Sequence, residues 1–132
     1  MSNQRQDDAR RRVELTEAAA RNEAIAAQKL IDEFVAEANA RGVRPEPLRA
    51  TLIGGGEVKT DQSGWYLRRN HSLAIGTGGE YYVMTVPGGG ALSRFRGVKL
   101  TPTPPSLQVG RGGRDGETGD LSEFLQWRLD AG

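Results

Sequence analysis

The stretch GTGGEYYVMTVPGGG, residues Gly76–Gly90, sets the fold class, because it holds six glycines around an apolar run. Glycine-rich loops cradle phosphate when they lead into a helix, whose first amides and dipole hold the anion. Here GTGG leads into Glu80-Tyr81-Tyr82-Val83, a β-branched and aromatic run that reads as strand. No Lys-Ser or Lys-Thr pair follows, so there is no P-loop. The later run GRGGRDGETGD does precede a helix, but without GxGxxG spacing, and with Asp120 and Glu123 to repel a phosphate. Both runs therefore read as turns.

If Gly76–Gly90 turns the chain, its neighbours are strands. Ala50–Ile53, Gly64–Arg69, Ser72–Gly76, Glu80–Val86, Val98–Thr101 and Leu107–Val109 are short apolar or β-branched runs bounded by Gly, Pro, Asn or Asp. Tight connections between them imply an antiparallel meander. TPTPPS, residues 101–106, is extended by proline geometry and is excluded from a central strand. A two-residue type I′ turn at Gly78-Gly79 would pair Ile75 with Tyr82 and Leu73 with Met84. An odd loop near Asn70, the candidate for a left-handed residue, adds Trp65 and Leu67 to that face. The opposite face would then carry Tyr66, Arg68, Ala74, Tyr81, Val83 and Thr85. It is too apolar to be left to water, so a helix, a tail or a second copy of the chain is expected to cover it.

Helices flank this region. From Asp7 to Arg41 there is no Gly or Pro, and helix formers dominate. Val13, Ala20, Ala24, Ala27, Ile31, Phe34 and Ala38 recur at spacings of three, four and seven, one face of a helix. Gly42, Pro45 and Pro47 end it. The first half offers alanine and charge, including Arg10-Arg11-Arg12, so docking is expected through residues 24–38, and residues 1–10 are expected to form a flexible tail. The heptad spacing also fits a coiled-coil seam, but over fewer than four convincing heptads; core packing is the preferred role. At the C-terminus Asp120 reads as an N-cap, with Glu123 three residues on, ahead of Leu121, Phe124, Leu125 and Leu129. The expected fold is α+β: one domain over residues 11–132 with a long N-terminal helix, an antiparallel β-meander of about five strands and a short C-terminal helix.

Composition narrows the chemistry. The 132 residues include no cysteine, which excludes disulfides and thiolate chemistry. No secretory pattern and no membrane-length apolar run is present, which gives a cytoplasmic expectation. Charge is uneven: residues 49–114 hold 9 basic and 3 acidic side chains, residues 115–132 hold 1 and 5. A basic middle attracts an anionic partner or the chain's own acidic tail. His71 is the one histidine and sits at a turn. Asp115, Glu117, Asp120 and Glu123 do not match an EF-hand loop. No hydrolase or metalloprotease motif occurs, so the sequence points to no catalytic residue, no metal and no cofactor, and an enzyme is the third and weakest reading.

Two clusters carry the functional expectation. In GWYLRR, Trp65 and Tyr66 adjoin Arg68 and Arg69; in SRFRGVK, Arg94, Arg96 and Lys99 surround Phe95. The leading reading is a non-catalytic protein-interaction module that self-associates as a homodimer or binds another protein, through Tyr66, Arg68, Tyr81 and Val83. The second is an RNA- or DNA-binding protein using the basic region 49–114, with Arg68, Arg69, Arg94, Arg96, Lys99, Arg111 and Arg114 on phosphates. Residues 1–10 hold no large apolar anchor beyond Met1. Deleting them should leave the melting temperature unchanged, and a large drop in thermal melting would show that the segment packs.

Overall fold

The structure, a computed structural model, describes residues 2–87, 97–109 and 118–132. Helix α1 spans Ser2–Arg41, so residues 2–10 of the segment expected as a loose tail are helical. It ends where Gly42 and Val43 bond back to the carbonyls of Asn39 and Ala38. The apolar stripe divides α1 as its composition implies. Ala27, Ile31, Phe34 and Ala38 are buried, whereas every residue from 3 to 17 is exposed.

Strands β1 (Glu46–Leu52), β2 (Glu57–Tyr66), β3 (Leu73–Gly76), β4 (Tyr81–Val83) and β5 (Thr85–Val86) form one sheet in the order β4-β3-β2-β1-β5. All neighbours are antiparallel except β1 and β5, which pair in parallel, Thr51 with Thr85 and Leu52 with Val86. β4 and β5 are opposite edges of the sheet, yet Met84 alone separates them in sequence. Adjacent Cα atoms lie about 3.8 Å apart, so the two edges must meet. The sheet therefore curls into a small, partly closed barrel. The Met84 amide donates to the Ser72 carbonyl at 3.0 Å, and its carbonyl accepts from the Thr51 amide at 2.8 Å.

This curl accounts for the second face. Leu48, Ala50, Leu52, Val58, Tyr66, Ala74, Tyr82 and Met84 cluster there with Leu100. Residues 97–100 run beside the first half of β2: Val98 donates to the Lys59 carbonyl, Asp61 donates to the Val98 carbonyl, and Leu100 donates to Asp61 Oδ1. The other face carries Trp65, Leu67, Leu73, Ile75 and Tyr81, packed under α1. A ribbon of β6 (Gln108–Val109) and β7 (Gly119–Asp120) leads into helix α2 (Leu121–Ala131), which adds Leu121 and Leu125 to the same core.

Several local expectations are corrected. The Gly78-Gly79 turn is a three-residue loop, 77–79, closed by the Gly76 amide on the Glu80 carbonyl at 2.9 Å. Gly79, at φ +88°, supplies the left-handed residue that such a loop needs. Its tip is fixed to α1, where Gln28 Nε2 donates to the Gly79 carbonyl at 2.8 Å. Register thereby moves by one: Ile75 pairs with Tyr81, Ala74 with Tyr82 and Leu73 with Val83. A one-residue slip exchanges the faces, so Tyr81 joins Ile75, and Tyr82 joins Tyr66. The odd loop after Arg68 is present, but its left-handed residue is His71, at φ 58°, not Asn70. Asn70 instead accepts from the Ser72 amide. Asp120 sits at the N-cap position, yet its side chain does not cap the helix; it accepts from Gln108.

Gly64 of β2 faces Gly76 of β3, and a Cβ at Gly64 would collide with the Ile75 carbonyl. Backbone cannot swing away as a flexible side chain can. Gly64→Ala should destabilise the fold by about 1–3 kcal/mol. Urea denaturation measures it, and an unchanged midpoint would show that β2 and β3 have room to separate.

Candidate functional site

The four residues expected to form one partner-binding patch are placed apart. Tyr66 points into the barrel and is 7 % exposed. Its hydroxyl accepts from the Arg49 amide at 2.8 Å, and its ring stacks on His71 with centroids 4.0 Å apart. The lone histidine thus covers a tyrosine ring at the turn. Tyr81 lies on the opposite face, in the core under α1, also 7 % exposed. Burial raises its hydroxyl pKa above the ordinary 10.0, and the Ser106 hydrogen bond and the Arg68 charge offset part of that rise. Val83 is exposed at the β4 edge. Arg68 and Tyr81 are electrostatic neighbours.

Arg68 is held within the fold. It is 6 % exposed, Nη1 donates to Ser72 Oγ at 3.1 Å, and the guanidinium stands 5.5 Å from the Phe124 ring centroid. That is the cation–π geometry, and it ties the β2–β3 turn to α2. Arg69 and Lys99 are exposed. Arg94, Arg96, Arg111 and Arg114 lie outside the described residues.

Beside Arg68 a cleft of about 330 Å³ is lined by Leu67, Arg69, Thr118, Glu123, Phe124 and Trp127. Its walls are mainly apolar, and its guanidinium is engaged with Phe124 and Ser72. Among the described residues no group of three or more His, Asp or Glu is placed to hold a metal ion, and no helix is long and apolar enough to cross a membrane.

The N-terminal half of α1 is left uncovered by the rest of the described fold. Val13, Leu15 and Ile25 are 55 %, 64 % and 69 % exposed. Docking begins near Glu23, whose Oε1 accepts from the Leu107 amide at 3.1 Å, and is continuous from Ala27. The twenty-one residues of α1 before that point, 2–22, extend over about 30 Å at 1.5 Å per residue. The sequence signal for this arm was the weakness of the apolar face before Ala24, which marks where core packing stops.

No family model matches the chain, and no curated protein or solved structure is significantly similar to it.

The buried tyrosines give a pH dependence. Tyr81 and Tyr82 both have pKa values raised above 10.0, so the unfolded chain loses those protons first as pH rises. Stability from the neutral hydroxyls is complete below pH 10 and falls above it. Tyr81→Phe should remove part of that alkaline loss. Urea midpoints taken from pH 8 upward measure the effect, and identical slopes for the two chains would contradict it.

Proposed function

We propose that the chain is a non-catalytic protein-interaction module that pairs with a second copy through the projecting half of α1. One observation carries this reading: residues 3–17 belong to the same continuous helix as the docked residues 27–38, yet all of them are exposed. Val13, Ala20 and Ala24 prolong the buried stripe of Ala27, Ile31, Phe34 and Ala38 at heptad spacing beyond the end of the core. A helix of this kind is marginal alone. Asp7 with Arg11, Asp8 with Arg12 and Glu17 with Arg21 stand four apart with the acidic residue first. Such pairs contribute only about 0.2–0.5 kcal/mol each. Packing along the stripe supplies what they do not.

Charge favours a copy of the same chain. Residues 2–22 carry five arginines and four carboxylates, so two such segments meet without strong net repulsion, and the segment offers little pull on a nucleic acid or an anionic membrane. A symmetric pair is the commonest oligomer. The sheet patch that would otherwise support a dimer is divided, with Tyr66 inside the barrel and Tyr81 under α1. The nucleic-acid reading draws on exposed Arg69 and Lys99, while Arg68 is turned inward.

Sedimentation equilibrium tests the pairing. The wild-type chain should show a dimer that dissociates on dilution. Val13→Glu should weaken the dimer about tenfold or more while the melting transition of the domain remains. A wild-type chain that stays monomeric at high micromolar concentration would overturn the reading.

A further inference from the structure

The proline segment that follows Leu100 is both anchored and presented. Pro102, Pro104 and Pro105 have φ fixed near −65° and no amide donor. Thr101, Thr103 and Pro104 precede prolines and are driven out of the helical region. Residues 101–105 are therefore built for polyproline II geometry, three residues per turn. With that period, Leu100, Thr103 and Ser106 share one ridge, and each is tied to the domain. Leu100 is 6 % exposed within the barrel cluster. The Thr103 amide donates to the Tyr81 carbonyl at 2.8 Å. Ser106 hydrogen-bonds the Tyr81 side chain in the core under α1.

Lys99, Pro102 and Pro105 form a second ridge. Lys99 and residues 101–104 are exposed, and Pro105 is half-buried. The backbone is fixed by the other ridge before any partner arrives, which reduces the ordering cost of binding. A ridge of two prolines three apart suits a groove of parallel aromatic rings, and a cation three residues before the first proline suits an acidic pocket at the end of such a groove. We infer that Lys99, Pro102 and Pro105 are a docking ridge for a protein domain that reads polyproline II through an aromatic groove with an acidic pocket, as SH3-type domains do. The inference is independent of helix pairing, since it uses a different element. Covering the edge of β4 is the other use of such a segment, and it would show in stability and not in binding.

The test uses the full-length chain against an immobilised panel of purified SH3 domains with acidic pockets. At least one domain should bind saturably. Lys99→Glu and the pair Pro102→Ala with Pro105→Ala should each weaken that binding about tenfold or more, and Thr101→Ala no more than about twofold. Lys99→Glu leaves every proline in place, so its loss of binding is not a loss of conformation; melting curves check each variant. Val13→Glu should leave this binding unchanged. Absence of binding by the wild-type chain to every domain in the panel, or equal binding by the variants, would overturn the inference.

Discussion

Met84 bonds through its backbone on both sides, to Ser72 before β3 and to Thr51 in β1, and much of the architecture depends on that residue. It is the whole connection between the two edge strands, and its side chain is fully buried inside the curl. A flat sheet could not satisfy both bonds. Closure then does two things at once. It ties β4 to β3 and β5 to β1 through one continuous segment, which leaves less free strand edge as a template for unwanted pairing. It also turns one apolar face of the sheet inward, so Tyr66, Ala74 and Tyr82 need no helix to cover them. Both helices are left for the outer face.

Trp65 organises that outer face. Its side chain is fully buried, its indole Nε1 donates to the Val43 carbonyl at 3.0 Å, and the Phe34 ring meets it edge-on at 5.5 Å. An indole carries one donor, and here that donor fixes the chain just after α1 turns toward β1. Together with Glu23 on the Leu107 amide and Gln28 on the Gly79 carbonyl, this gives α1 polar anchors at either end of an apolar contact. The helix axis is thereby set, and the uncovered half of α1 projects in a defined direction.

The element types were legible from the residues because propensity, glycine placement and apolar spacing agreed with one another. The long gap without Gly or Pro gave α1, and the stripe from Ala27 to Ala38 gave its docked face. Two things were hidden. The first half of β2, Glu57–Ser63, alternates polar residues around Val58, and its strand character comes from pairing with β1, not from its own side chains. The closing of the barrel was hidden for a similar reason. Whether a Gly-Gly pair makes a two- or a three-residue loop is decided by what the loop packs against, here Gln28 and Asp32 of α1. That single residue of register determined which tyrosine faced which side, and so decided the candidate patch. Arg68 was legible as a basic residue beside aromatics, but its aromatic partner, Phe124, is distant in sequence.

Closure by Met84 also has a kinetic side. The pairs β1–β2, β2–β3 and β3–β4 join residues connected through short turns, so each can form locally. The pairing of Thr51 with Thr85 spans the whole length of the meander. Loop-closure entropy rises slowly with length, but it must be met before the contact returns anything. The three hairpins shorten the effective loop to almost nothing once they are in place, because they bring Met84 back beside β1. The strand order therefore implies a sequence of events, in which the parallel contact is the last to gain free energy and the first to be given up when the sheet opens.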